Sequence, residues 1–120
     1  MHKILVIDDE IEICKIIDKF LTKHGFMVST AQSGEQGLEL LNKEKFDLLI
    51  QDKRMSGIGG LGVLKELKEK KSAIPVIILT GSQDIAEAVD EVKDLGYDDF
   101  LFKPIDLNIL LENVKRRLGL

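Results

Sequence analysis

Short apolar runs alternate along this chain with longer segments of helical periodicity. Ile4–Ile7, Leu48–Ile50 and Val76–Leu79 are continuous apolar runs, as is typical of strands buried on both faces of a sheet. Gly25–Ala31 and Asp99–Phe102 are weaker candidates of the kind that edge strands often give. The pattern therefore predicts five strands.

Longer segments follow each predicted strand and carry apolar residues at spacings of three and four, which predicts amphipathic helices. These segments are Ile11–Leu21, Leu38–Leu41, Leu61–Leu67, Ile85–Leu95 and Leu107–Leu118. Strand and helix thus alternate five times. This order requires crossover connections, so we predict an α/β fold with a parallel sheet covered by helices on both faces.

Residues that typically start or end helices agree with these boundaries. Ser33–Gln36 and Asp84–Glu87 have the spacing of capping boxes at predicted helix starts. Gly25 and Gly96 stand where helices are expected to end.

Composition indicates one globular domain. The 120 residues lie within the usual size of a single domain, and 44% hydrophobic residues are enough for a core. A net charge of −4 argues against nucleic-acid binding by this chain. The start of the chain resembles neither a signal peptide nor a membrane span, so we expect a cytoplasmic protein with no membrane partner. The single cysteine, Cys14, is interpreted as a small buried hydrophobic residue in a reducing compartment.

Polar side chains stand at the carboxyl ends of the predicted strands, where open parallel sheets bind ligands. Asp8 and Asp9 follow the first strand, Asp52 the third, Thr80 the fourth and Lys103 the fifth. Taken singly, each residue could be an ordinary cap, turn or loop residue. Together, the carboxylates would repel one another unless a cation lay among them.

The residue types at this edge favour a particular chemistry. Oxygen ligands without nearby His or Cys favour Mg²⁺ over zinc or iron. Lys103 supplies a positive charge and Thr80 a hydroxyl group, which suit the stabilisation of an anion beside a carboxylate nucleophile. Phosphoryl transfer to an aspartate fits these parts, because that reaction depends on positioning and on charge neutralisation.

Four motifs resemble the receiver domain of bacterial two-component response regulators, the CheY-like family. They are VIDDE (Val6–Glu10), LLIQDKRMSGIGGL (Leu48–Leu61), VIILTG (Val76–Gly81) and DFLFKP (Asp99–Pro104), in that order. The resemblance covers residues 1–120 as one receiver domain. It implies a single doubly wound, five-stranded parallel sheet of the (βα)5 flavodoxin-like type with strand order 2-1-3-4-5.

The resemblance also implies roles at the strand ends. Asp52 is expected to be the phosphoacceptor, and Asp8 and Asp9 the acidic pair that binds Mg²⁺. Asp52 itself and the backbone carbonyl of Arg54 would be further metal ligands. Lys103 is expected to pair first with the acceptor carboxylate and then with the phosphoryl group.

A switch is implied as well. Thr80 would move to bond the phosphoryl oxygens, and Phe100 would turn inward into the vacated space. The Lys103–Pro104 bond resembles one that is cis in the family. The signal would reach the surface of the fourth helix, fifth strand and fifth helix, the family's usual output and dimer face. That surface carries charges that could form ion pairs between subunits: Lys93, Asp94, Asp98, Asp99, Lys115, Arg116 and Arg117.

The expected phosphodonor is the phosphohistidine of a sensor histidine kinase or phosphotransfer protein, which the family docks mainly on the first helix. The chain is not expected to be an enzyme beyond Mg²⁺-dependent self-phosphorylation and autodephosphorylation at Asp52. It could be a stand-alone receiver or the receiver of a longer regulator, with a homodimer or downstream effector as partner. Ser56 departs from the family, which usually has proline there.

Three other functions are compatible with parts of this pattern. A phosphatase of the haloacid dehalogenase type is disfavoured because its D-x-D motif is absent, Asp8 being followed two positions on by Glu10. A flavodoxin-like flavin binder is disfavoured because acidic residues after the first strand would repel the flavin phosphate. A receiver-like interaction module that is never phosphorylated remains as the alternative function.

Overall fold

The computed structural model describes residues 1–53, 59–81 and 97–120. Within these ranges the strands are β1 (Lys3–Ile7), β2 (Met27–Ala31), β3 (Leu48–Asp52), β4 (Val76–Thr80) and β5 (Asp99–Phe102). The helices in the same ranges are α1 (Ile11–Lys23), α2 (Gly34–Lys43), α3 (Gly59–Glu69) and the C-terminal helix (Leu107–Arg117).

The strands form one parallel sheet in the order β2-β1-β3-β4-β5, which confirms the expected fold class. The chain passes from β1 outward to β2 and then crosses back to β3 on the other side of β1. In sheets of this type, the crevice for ligands opens at the carboxyl ends of the strands where this reversal occurs. Here that point lies between β1 and β3.

Both faces of the sheet are covered, which explains why the central strands are apolar without alternation. Ile4 and Val6 of β1 belong to the core beneath α1 and the C-terminal helix. Leu5 and Ile7 belong to the opposite core, which includes residues of α3 and is packed against apolar residues of α2. All four side chains are fully buried.

The helix boundaries follow the sequence signals in part. Ser33 caps α2 by accepting a hydrogen bond from Gln36 N at 3.1 Å. The Gln36 side chain accepts from Gln32 N rather than from Ser33 N, so only half of the predicted capping box forms. Gly25 follows α1 with a φ of +92°, a conformation that glycine adopts readily.

The fourth predicted helix, Ile85–Leu95, lies outside the described residues, together with its capping box and Gly96.

The C-terminal helix is tied to the start of β5. Asp106 caps the helix by accepting from Asn108 N and Ile109 N. Arg117 donates from Nε to Asp99 Oδ2 at 2.7 Å and from Nη2 to Asp99 Oδ1 at 3.0 Å. Asp99 is therefore paired within its own chain, and ion pairs between subunits stay a prediction.

Candidate functional site

The side chains predicted for the site lie at the carboxyl edge of the sheet. Asp8 follows β1 and is fully buried, while Asp52 and Thr80 close β3 and β4 and are 4% and 2% exposed. Lys103 follows β5, and its side chain is 14% exposed. Asp9 is exposed to solvent. The edge therefore combines buried side chains with two exposed acidic residues, Asp9 and Glu10, which we call the rim.

Lys103 is the centre of the site. Its Nζ lies 3.0 Å from Asp8 Oδ2, 2.9 Å from Glu10 Oε1 and 3.5 Å from Asp52 Oδ1. The Lys103 backbone N–H donates to Thr80 O at 2.8 Å, and the Lys103–Pro104 peptide bond is cis. A single cation thus contacts carboxylates that follow or end two neighbouring strands, β1 and β3.

Asp8 is held in place by the chain around it. Its Oδ1 accepts from Glu10 N at 2.9 Å, and its backbone N–H donates to Ala31 O at 3.0 Å. Its Oδ2 contacts Lys103 as an ion pair but accepts no hydrogen bond of normal geometry among the described residues. This buried oxygen keeps acceptor capacity for a cation.

Burial dominates the electrostatics of Asp52. The pKa of its carboxyl group is raised from 3.8 to about 7, first by burial and then by the negative charge of Asp8. Lys103 lowers that pKa but does not compensate. For Lys103 itself, burial lowers the pKa, but the Glu10 and Asp8 carboxylates outweigh it and the net pKa is raised. Lys103 is therefore charged across the accessible pH range.

Cys14 packs beneath the site. Its thiol is 2% exposed as predicted and contacts Asp8 O at 3.3 Å. Burial, followed by the charge of Asp8, raises its pKa to about 11. The thiol therefore stays protonated at neutral pH and is a packing residue rather than a nucleophile.

A candidate metal cluster combines buried Asp8 with two exposed acidic residues. Asp8, Asp9 and Glu10 each offer a carboxylate oxygen, and these atoms lie within 4.8 Å of one another. Asp8 and Asp9 were expected here, whereas Glu10 was not assigned a role from the sequence. Asp52 is linked to this cluster through Lys103. The predicted ligand Arg54 lies outside the described residues, as does Ser56.

One ordinary explanation for the acidic residues does not hold. Asp9 is not the cap of the first helix, because the N-cap residue of α1 is Glu10, whose side chain makes no capping hydrogen bond. Asp9 therefore stands at the rim without a capping role.

Phe100 lies within β5, where it pairs with Ile78 of β4, and its side chain is half-buried. Its ring meets Tyr97 edge-on, with centroids 5.5 Å apart, and Phe102 at 5.4 Å. The sequence did not point to this aromatic cluster.

Gln51 is a further residue that sequence reasoning missed. It is fully buried, and its side-chain Nε2 donates to Asp52 O at 2.8 Å. Its Oε1 has no hydrogen-bond partner among the described residues. A glutamine inside an apolar strand run was the available signal.

Among the residues described, no helix has the length and apolar character needed to cross a membrane.

Comparison with known proteins agrees with this geometry. Residues 4–115 match the family described as response regulator receiver domain. Transcriptional regulatory protein ZraR of Escherichia coli is 39% identical over 97% of this chain and 26% of its own length. Probable transcriptional regulator ycf27 of Cyanidium caldarium is 38% identical over 98% of this chain and 47% of its own length. The chain therefore spans a quarter to a half of these relatives.

Solved structures give the same result. The receiver domain of the Francisella response regulator 1452 is similar at a TM-score of 0.92 and 28% identity, with 99% of this chain and 98% of that one covered. Chemotaxis protein CheY4 of Vibrio cholerae is similar at a TM-score of 0.90 and 29% identity, with 98% and 99% covered.

Proposed function

The chain belongs to the response regulator receiver domain family, and from this premise we propose that Asp52 accepts a phosphoryl group in a two-component phosphorelay. The donor would be the phosphohistidine of a sensor histidine kinase or phosphotransfer protein. An Asp52 carboxylate oxygen would bond to phosphorus while the bond from phosphorus to the imidazole nitrogen breaks. The chain would then act as a cytoplasmic switch rather than as an enzyme with a separate substrate.

The observation that carries this proposal is the position of Asp52. It is nearly buried, it lies 3.5 Å from a lysine ammonium, and its neighbour Asp8 is also paired with that lysine. Phosphoryl transfer requires a positioned nucleophile and cations beside the transferred group. Asp52 and Lys103 supply a nucleophile and a cation.

Mg²⁺ fits the remaining acidic groups. Asp8 Oδ2 is buried and, among the described residues, has an ion pair with Lys103 but no hydrogen bond, while Asp9 is exposed on the rim. Oxygen ligands are therefore available in the number that Mg²⁺ uses with retained waters. Asp8 and Asp9 would hold the ion, with Asp52 and the Arg54 carbonyl as the further ligands that the family resemblance implies. When bound, Mg²⁺ would supply charge neutralisation for the phosphoryl oxygens.

The output would follow from Thr80 and Phe100. Thr80 is buried at the end of β4, next in the sheet to β5, which carries Phe100. We propose that Thr80 bonds the phosphoryl group and that Phe100 changes its packing in response. The change would reach the surface formed by β5, the C-terminal helix and the fourth predicted helix, where a second copy or a downstream effector would bind.

The test is a measurement of intact mass after incubation with acetyl phosphate. Wild-type protein and Asp52→Asn would each be incubated with the donor and Mg²⁺, and again with EDTA in place of the metal. We expect a metal-dependent gain of one phosphoryl group in the wild type alone. An equal gain in the Asn variant would place the acceptor elsewhere. No gain in either folded protein would favour the receiver-like interaction module.

A further inference from the structure

Glu10 occupies a helix-capping position without capping the helix. It is the N-cap residue of α1, with extended backbone angles, and its backbone carbonyl accepts from Ile13 N and Cys14 N. Side chains that cap at this position are usually Ser, Thr, Asp or Asn, which bond the free N–H groups of the first turn. The Glu10 side chain makes no such bond. Helix formation therefore does not explain this residue.

The Glu10 side chain instead reaches a residue 93 positions away. Its Oε1 accepts a hydrogen bond from Lys103 Nζ at 2.9 Å. The contact from the same nitrogen to Asp52 is longer, at 3.5 Å. In the resting site, Lys103 is thus closer to the rim than to the expected phosphoacceptor.

The two acidic partners on β1's side of the site differ in environment. The Asp8 side chain is fully buried, whereas that of Glu10 is 59% exposed. A buried carboxylate loses much on separation from its cation, while an exposed one is readily rehydrated. Glu10 is therefore the partner that Lys103 can give up at least cost.

Phosphorylation would change the competition for Lys103. A phosphoryl group carries about −1.5 to −2 charges and three strong acceptor oxygens. It would attract Lys103 more strongly than the Asp52 carboxylate does. We propose, on the basis of the phosphoacceptor function above, that Glu10 is a positioning residue that holds Lys103 at rest and is displaced when Asp52 is phosphorylated. Glu10 thereby sets how readily the site takes up a phosphoryl group.

Beryllium trifluoride, a mimic of the aspartyl phosphoryl group, is the probe for this proposal. Its affinity would be measured at saturating Mg²⁺ for the wild type, Glu10→Gln and Glu10→Asp. Gln keeps the length of the side chain but not its charge, and Asp keeps the charge but is one methylene too short for the contact. Glu12→Gln is the matched control, because Glu12 is an exposed carboxylate in the first turn of α1 whose ion-pair partner, Lys15, is also exposed.

Both Glu10 variants should bind the probe more tightly than the wild type, by about 1.5- to 5-fold, the range expected for loss of an exposed ion pair. Glu12→Gln should bind as the wild type does. Glu10 variants that match Glu12→Gln would overturn the proposal. So would a Glu10→Asp variant that behaves as the wild type, because the effect would then be one of general charge.

Mg²⁺ affinity of the same variants gives a second, independent measurement. We expect Glu10→Gln to change it by less than about threefold, as for an exposed carboxylate near the ion rather than on it. A loss of about threefold or more would tie Glu10 to the ion, either as a ligand or as a group that orients one, and would overturn the positioning role; loss of an orienting group alone costs about 10- to 100-fold. If the wild type itself neither bound the probe nor accepted phosphate, the phosphoacceptor function would fail as well. If only the Glu10 effect were absent, that function would stand.

Discussion

Replacing Asp52 by Asn should stabilise the metal-free protein at neutral pH. The carboxyl group of Asp52 has its pKa raised from 3.8 to about 7 by burial and by the charge of Asp8. Each unit of difference between the folded and unfolded pKa corresponds to about 1.4 kcal/mol, so ionised Asp52 disfavours the folded state by an amount on the order of 4 kcal/mol. Asn has nearly the same shape and carries no charge, so it removes this cost.

The sign of the pH dependence follows from the same values. In the unfolded chain the Asp52 carboxyl loses its proton near its ordinary pKa of 3.8, whereas in the folded protein it keeps the proton until about pH 7. The folded state therefore binds more protons between these values, and stability falls as the pH rises through them. Below about pH 3 the carboxyl is largely protonated in both states. At about pH 4 it is close to half protonated in the unfolded chain, so wild type and Asn variant should differ there by less than about 1 kcal/mol.

Urea unfolding in EDTA, at about pH 4 and at about pH 7.5, measures this difference directly. Glu12→Gln is a suitable control, because it also removes one carboxylate but from an exposed position. We expect the Asn variant to gain stability at the higher pH only, and the control to change by less than about 0.5 kcal/mol at either. A gain that does not depend on pH, or a less stable Asn variant at neutral pH, would refute the electrostatic reasoning.

Two further predictions concern the metal and the packing of the sheet. Asp9→Asn should lower Mg²⁺ affinity by about tenfold or more, since it removes a charged oxygen ligand. Titration with Mg²⁺ would measure this loss. Unchanged affinity would show that Asp9 is not a metal ligand. Gly37→Ala should cost about 0.5–2 kcal/mol of stability by overpacking, even though alanine favours helices, because its Cβ would overlap Ile7 Cδ1 in the buried core. Urea unfolding would measure this loss, and Ile7→Val in the same chain should recover part of it; strictly additive effects would show that the two side chains do not clash.

The framework of the fold was predictable because strands buried on both faces of a sheet have continuous apolar sequences. Continuous apolar runs such as Ile4–Ile7 cannot form one face of an amphipathic helix, and their short length fits a strand. Crossover connections then follow from the order of elements alone. The strand bounds were less accurate: β3 continues to Asp52 and β4 to Thr80, because the backbone ladder extends into the polar residues of the site.

Side-chain partners across long separations were not predictable. The sequence placed Lys103 near the acidic residues through strand order, but nothing in it shows that Glu10 is the closer partner and Asp52 the more distant one. The internal pairing of Asp99 with Arg117 is a similar case, because helix periodicity does not fix which charged side chain faces the neighbouring strand. Likewise, Gly37 gave no sign of its close approach to Ile7, which depends on how tightly α2 packs against β1.

Ionised Asp52, at the end of β3, acts against stability, and this cost would make the site responsive to a cation or to phosphorylation. Lys103 neutralises only part of the negative charge, since the pKa of Asp52 remains raised despite its presence. Any cation that enters the rim would therefore gain both favourable contacts and the relief of this repulsion. A phosphoryl group on Asp52 would increase the negative charge at a nearly buried position. Lys103 could not neutralise this charge while it keeps its present contacts, so it would have to move. Movement of Lys103 away from Glu10 would be the smallest rearrangement that neutralises the added charge, because it exposes only a carboxylate that already faces water.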